Sequence, residues 1–289
     1  MFDRISNGFS LARSSWAVLA KDKHLIWFPI ISGFLFLVVL ASFAVPLATL
    51  VDWAGFQQHL EANNNRPPLW VYAVAFGFYL ATYFVIIFCN SALVSCALMR
   101  FNGQEPRLSD GFRMAMSRLP QIFAWALVSA TVGMLLKAVE NAHEKVGYYV
   151  SLVLGAAWSI MTFFVVPVLV VEKTGPFQAV GRSVSLLKRT WGEALVGRLG
   201  IGFVMFLLFG PILALFIVGG MVMAKGMMTA GVILLIVGVV CALLHAAVSS
   251  ALNTILLAAL YQYAADERVP EGFEREQFAG AFESKPQQA

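Results

Sequence analysis

Six long apolar stretches recur along the chain, and they restrict it to folds that can hide or embed so much apolar surface. They cover residues 25–51, 69–99, 121–139, 147–171, 194–223 and 228–261. Because a helix rises about 1.5 Å per residue, about 20 apolar residues cross the roughly 30 Å hydrocarbon core of a bilayer. The chain is 60% hydrophobic and only 12% charged, which leaves a soluble fold too few polar residues to cover its surface. We therefore predict an all-α membrane protein with six transmembrane helices.

The basic residues indicate how these spans are oriented. Of the 20 Lys and Arg residues, all but Arg66, Lys137, Lys145 and Lys225 belong to the N-terminus, the connections after spans two and four, or the C-terminal tail. Lys and Arg concentrate in the cytoplasmic segments of membrane proteins, and an even number of spans returns the chain to its starting side. We predict a multi-pass protein of the inner (cytoplasmic) membrane with both termini in the cytoplasm. The net charge of +4 then reflects topology, and we expect no nucleic-acid partner.

Three similar segments precede spans one, three and five. Residues 8–16 and 184–191 share Ser-Leu, a basic residue, Ser or Thr, and Trp, while 111–119 shares Gly-Phe with the first segment. Each segment combines apolar and basic residues in a way that is typical of an amphipathic helix lying in the membrane interface. We predict three such helices on the cytoplasmic side.

The spans that close each pair also correspond. Asn-Ser-Ala-Leu at 90–93 in span two matches Asn-Thr-Ile-Leu at 253–256 in span six, although span four lacks the Asn. We predict three parallel repeats of an interfacial helix plus two spans, N-in and C-in, with boundaries at residues 1–100, 101–172 and 173–263. They form one bundle, 1–265, and a cytoplasmic tail, 266–289.

Both ends of the chain carry short sequences that resemble those of a known family. They are Phe2-Asp3-Arg4-Ile5-Ser6 through Trp16, and Tyr261-Gln262-Tyr263-Ala264 followed by Val269-Pro270-Glu271-Gly272-Phe273. Over its whole length the chain resembles an uncharacterised family of bacterial and archaeal six-span membrane proteins, known as a domain of unknown function. Its pattern of an interfacial helix plus two spans is more loosely similar to the membrane domain of some glycerophosphodiester phosphodiesterases. Neither resemblance implies a catalytic residue.

Span six carries the densest set of polar side chains inside a predicted span. Cys241, His245 and Ser249 are four residues apart and form one stripe, with Asn253 a turn further on. Polar groups in lipid need partners and face the bundle or a wet cavity. One hypothesis is a proton-relay or small-ligand site around His245; the alternative, and the commoner role, is an interhelical hydrogen bond. Asn90 and Asn253 would each lie about 15 Å deep, where they line a shared polar cavity or serve in packing.

Four basic residues before and within the start of span five are candidates for a lipid headgroup site: Arg182, Lys188, Arg189 and Arg198. Cationic side chains beside a span favour anionic phospholipids. The alternatives are an ion pair between Arg189 and Glu193, which are four residues apart, and simple snorkelling of Arg198 to the interface.

Motifs for catalysis, metals and cofactors are missing. The three cysteines lie inside spans without a metal-ligand spacing, and there is no Walker loop, HExxH, GxSxG or dinucleotide glycine pattern. We expect no catalytic residue, no metal and no cofactor. In the tail, Phe273, Phe278 and Phe282 suggest docking, either onto the basic cytoplasmic face or onto a partner.

The first functional hypothesis is a non-enzymatic membrane protein that interacts with lipid or scaffolds a membrane complex. Its expected partners are membrane phospholipids, together with a protein partner or further copies in a homo-oligomer. The alternative is a small-solute transporter or channel with a midplane polar cavity around Asn90, Asn253 and His245. An intramembrane enzyme that uses His245 as its acid–base group ranks third.

Overall fold

The computed structural model describes residues 2–64, 66–142, 146–274 and 277, with side chains described from residue 9 onward except at 190–197 and 199. These residues form ten α-helices and no strand. The helices are α1 Phe2–Lys21, α2 Trp27–Leu50, α3 Trp53–Ala62, α4 Leu69–Phe101, α5 Leu108–Ser117, α6 Leu119–Ala142, α7 Val146–Met161, α8 Val165–Glu172, α9 Pro176–Ala224 and α10 Met228–Asp266. A 3-10 turn, Lys23–Ile26, joins α1 to α2. The predicted all-α fold class is confirmed.

Six helical segments of the described chain are long and apolar enough to cross a membrane, which makes this a multi-pass membrane protein. They are Lys23–Leu50, Leu69–Phe101, Leu119–Ala142, Val146–Glu172, Gly200–Ala224 and Met228–Asp266. Each coincides with one of the six predicted spans. The prediction succeeded because the length and apolar composition of a run are enough to identify a membrane-spanning helix.

The predicted boundary between the third interfacial helix and span five is absent. Residues 184–191 and the span belong to one helix, α9, which runs without a break from Pro176 to Ala224. A proline at the first helical position is favourable, and no other proline follows until Pro211. The 49 residues of α9 therefore extend over about 73 Å, much more than a bilayer core.

Span four, in contrast, is broken. Its helix stops at Met161 and resumes as α8 at Val165, two residues before Pro167. Proline has no N–H and its ring clashes with the carbonyl four residues earlier, so a helix interrupted before Pro167 is the expected response. The hydroxyl of Ser183 in α9 accepts a hydrogen bond from the backbone N–H of Phe164 at 2.9 Å. This buried N–H at the break is thereby satisfied, as it must be in an apolar medium.

The fold divides into two compact units. Within its described residues, the first unit takes in Met1–Ile30, Ala92–Phe112 and Ser185–Ala289. In it α1 packs against α10, and the C-terminal part of α10, from Ala251 to Ala264, is almost entirely buried. Helices α9 and α10 approach closely because Gly219 and Gly231 face each other; a Cβ on Gly231 would lie 2.8 Å from the carbonyl oxygen of Gly219.

The second unit takes in Ile31–Ser91 and Arg113–Val184. Its α6 and α7 form the packed core, where the Trp125 and Trp158 rings stack with their centroids 5.6 Å apart. The boundaries of these two units differ from those of the three repeats in the sequence, and the repeats remain a prediction.

Candidate functional site

The first unit contains a polar cleft of about 640 Å³ where α1 ends, α4 ends and α5 begins. Its walls are Lys21, Asp22, His24, Arg100, Glu105, Pro106, Arg107, Leu108 and Ser109. A volume of this size is within the range of small-molecule sites. The cleft is the candidate functional site of the chain.

The backbone around the cleft is fixed by the way α4 ends. Gly103 adopts a left-handed conformation, φ 75°, which a glycine reaches without strain. Its N–H donates to the carbonyl of Arg100 at 3.0 Å, and the N–H of Gln104 donates to that of Met99 at 3.1 Å. These two bonds form a Schellman motif, which terminates the helix and turns the chain toward α5.

The next helix begins with a side-chain cap. The Asp110 carboxylate, in the first turn of α5, accepts a hydrogen bond from the backbone N–H of Arg107 at 2.9 Å. This is one half of a capping box, and it also places a carboxylate at the positive end of the helix. The Cys96 thiol donates to the Arg107 carbonyl at 3.5 Å, so Arg107 is anchored through its backbone while its side chain stays exposed.

An ion pair joins two walls of the cleft. The Oδ2 atom of Asp22, directly after α1, lies 2.6 Å from Nε of Arg100 at the end of α4. The side chains are only 9% and 20% exposed, so the pair is poorly screened. That Oδ2 has no aligned hydrogen-bond donor, so the contact is an ion pair by distance and not a directed hydrogen bond. Nη1 of Arg100 also donates to the carbonyl of Gln104 at 3.4 Å, which ties the loop to the same guanidinium.

His24 lies beside this pair, in the 3-10 turn. Its Nε2 atom is buried and has no hydrogen-bond partner among the described residues. A buried polar atom without a partner costs roughly 1–3 kcal/mol, so a conformation or ligand that satisfies this nitrogen would be favoured.

The C-terminal tail packs on the protein next to the cleft. Phe273 is buried and packs edge-on against Phe101, with ring centroids 5.8 Å apart. Gln277 exchanges hydrogen bonds with Ser14 of α1 at 3.1 and 3.2 Å. Glu271 lines a small cavity next to the cleft together with Lys21 and Arg100. Phe273 thus docks on the protein itself, whereas Phe278 and Phe282 lie outside the described residues.

Two residues of the predicted polar stripe of span six have hydrogen-bond partners within the protein. Nε2 of His245 lies 2.9 Å from the carbonyl oxygen of Met205 in α9, and its ring is 5.7 Å from that of Phe209. The Asn253 amide donates to the Ser249 carbonyl, one turn earlier in α10, at 2.8 Å. Asn90 is partly buried and belongs to the second unit, whereas His245, Ser249 and Asn253 belong to the first. The shared cavity stays a prediction.

The four predicted headgroup residues are spread around α9. Arg182 forms an ion pair with Glu172 at the end of α8, at 2.9 Å, while Lys188, Arg189 and Arg198 are exposed. At 100° per residue, Arg182 and Arg189 share one face and Arg198 points about half a turn away from them. Residues that are neighbours in the sequence thus lie on different faces of α9, and the headgroup site stays a prediction.

A family model described as "Family of unknown function (DUF6159)" matches residues 69–272, well over half of the chain. The chain belongs to this family. Membership confirms the resemblance to an uncharacterised six-span family, and the looser likeness to the phosphodiesterase membrane domain is not shown. No curated protein and no solved structure matches the chain.

For this DUF6159 protein, the matched region contains only part of the cleft. Arg100 and the lining residues from Glu105 to Ser109 lie within it, while Lys21, Asp22 and His24 precede it. Among the described residues, no group of three His, Cys, Asp or Glu side chains is placed to hold a metal ion. The sequence signal that could have pointed to the cleft is that Lys21 and Arg100 both flank an apolar run. Their convergence, however, needs the tertiary fold.

Proposed function

We propose that this DUF6159 protein is a non-enzymatic protein of the cytoplasmic membrane, with both termini in the cytoplasm, that binds anionic phospholipids along its basic side. The observation that carries the proposal is the exposure of aromatic and basic side chains on helices whose other face is buried in the protein. The excess of Lys and Arg at the same ends of the spans supports the orientation.

Helix α1 provides the clearest case. Leu11, Ser15 and Val18 are buried. Phe9, Arg13 and Trp16, on another face, are exposed, and Trp16 is 53% exposed. Tryptophan prefers the headgroup level of a membrane and arginine attracts anionic lipid, so this exposed face fits a lipid surface.

The first part of α9 repeats the arrangement. Ala179, Ser183 and Leu186 are buried, whereas Phe177 and Lys188 are exposed. A helix that extends well before its apolar span, with one face held by the protein, supports an interfacial position. Each basic residue near an anionic membrane surface contributes about 1 kcal/mol to lipid attraction.

Native mass spectrometry of the full chain, gently extracted from its own membrane, tests the proposal. We expect retained anionic phospholipid on the native protein and its loss when Arg13, Lys188 and Arg189 are all changed to Gln. Lys225→Gln is the matched control, because Lys225 is an exposed cation in the turn between α9 and α10, at the opposite predicted side. A bare native protein, or an adduct that survives the triple change, would overturn lipid binding. A retained protein subunit without lipid would favour a scaffold instead.

A small-solute transporter is the second candidate, and the broken span favours it. Discontinuous helices surround the substrate sites of many transporters, and the break between α7 and α8 is of this kind. Release of entrapped ions and small solutes from proteoliposomes would support transport if Asn90→Ala and His245→Ala reduced the flux. Vesicles that stay sealed with the native protein would exclude it.

A further inference from the structure

We infer that the cleft between α1, α4 and α5 is a binding site for a phosphate group, carried by a phospholipid headgroup or by a small soluble phosphate compound. Its residues differ from the exposed faces of α1 and α9 on which lipid binding was proposed. The inference rests on that proposed function only where the phosphate comes from a lipid.

The depth of the cleft matches the phosphate layer of a membrane. Arg100 is the first charged residue after the apolar part of α4, and His24 immediately precedes the apolar run that begins at Leu25 and continues through α2. Both residues line the cleft. A ligand held between the ends of two spans therefore lies where lipid phosphates and the adjoining aqueous phase meet.

The cations of the cleft are available and oriented. Lys21 and Arg107 are exposed, and neither side chain has an ion-pair partner within the described part of the chain. Arg100 is held at Nε by the ion pair with Asp22 and at Nη1 by the hydrogen bond to the Gln104 carbonyl, and the two contacts together restrict its guanidinium. A fixed guanidinium and a mobile ammonium together suit a phosphate, which accepts bidentate and single hydrogen bonds.

The cleft lining carries three cations, Lys21, Arg100 and Arg107, against two carboxylates, Asp22 and Glu105, so positive charge is in excess there. Asp22 is engaged with Arg100 and Asp110 with the Arg107 backbone N–H, while Glu271 borders Lys21 and Arg100 in the adjoining small cavity. His24 adds a ring whose buried Nε2 has no partner, so turning this ring toward a ligand would break no hydrogen bond at that atom. A cleft of about 640 Å³ has room for a phosphate with its glycerol or sugar substituent.

The test uses the full chain in nanodiscs of phosphatidylcholine, with two probes: inorganic phosphate and the short-chain lipid dioctanoyl phosphatidic acid. We expect saturable binding of at least one probe, weakened about tenfold or more by the double change Lys21→Gln and Arg107→Gln, because the loss of a single charged hydrogen bond already accounts for about that factor. Arg107→Lys should recover part of the affinity. The double change Arg66→Gln and Lys225→Gln removes two exposed cations outside the cleft and should leave binding unchanged.

The two probes distinguish the source of the phosphate. Binding of the short-chain lipid that millimolar inorganic phosphate does not displace assigns the site to a headgroup; binding of inorganic phosphate itself assigns it to a soluble compound. No binding of either probe, or equal binding by the Lys21 and Arg107 variant, overturns the site. Since Lys21 and Arg107 are exposed, thermal unfolding should confirm that this variant folds. The variant with Arg13, Lys188 and Arg189 changed to Gln separates the two proposals. If it loses its phospholipid adducts in mass spectrometry but still binds the phosphate probes, the lipid surface and the phosphate site are both supported, independently of each other.

Discussion

At the scale of single residues, the Asp22–Arg100 pair makes a prediction about stability. Changing Arg100 to Gln leaves a carboxylate only 9% exposed without its cation, and we expect a loss of roughly 1–3 kcal/mol. The loss should be smaller than for a fully buried pair, because the Arg100 side chain keeps 20% of its surface in contact with solvent. Thermal unfolding of the purified protein in detergent measures it.

A double-mutant cycle separates the pair from its surroundings. The double variant Asp22→Asn with Arg100→Gln should lose less unfolding free energy than the sum of the two single losses, because neither charge is then left without its partner. Strict additivity would mean that the two side chains do not interact, despite their 2.6 Å separation.

At the scale of helices, one hydroxyl stabilises the break in span four. Ser183→Ala removes the acceptor for the buried N–H of Phe164, and we expect a loss of roughly 1–3 kcal/mol. Ser185→Ala is the matched control, since Ser185 is exposed two residues later on the same helix. Equal melting temperatures for the two variants would show that the N–H finds another acceptor.

The contact of α9 with α10 depends on glycine. A Cβ added at Gly231 would lie 2.8 Å from the Gly219 carbonyl oxygen, and a backbone atom cannot yield as a side chain can. We expect Gly231→Ala to lower stability by about 1–3 kcal/mol. Gly220→Ala should be neutral or stabilising, because nothing lies within 4 Å of its added Cβ. Thermal unfolding of the two variants measures the difference in stability. If Gly231→Ala were as stable as the native protein, α9 and α10 would have to lie further apart than they do in this structure.

At the scale of the whole molecule, composition predicted the spans and failed where structure depends on long-range contacts. The six apolar runs needed only length and hydropathy. The uninterrupted α9 was missed because a change from amphipathic to apolar sequence was taken as a helix end, although no proline separates the two parts. The cleft was missed because Asp22 and Arg100 meet only after α1 and α4 have packed. The sequence marks His245 as a polar group that needs a partner, but the spacing could not show that the carbonyl beside it is that of Met205.

The orientation of the whole chain is the last prediction. We expect Lys225→Cys, in the turn between α9 and α10, to react with a membrane-impermeant maleimide on intact cells or spheroplasts. Asn102→Cys, exposed at the end of α4, should react only after the membrane is opened. Both changes are made with Cys89, Cys96 and Cys241 replaced by Ala, so that these native thiols, which lie within spans, cannot contribute. The Lys and Arg excess near Asn102 requires this result if positive charge is retained in the cytoplasm. The reverse pattern would place the basic cleft outside the cell, where an anionic cytoplasmic leaflet could not supply its ligand.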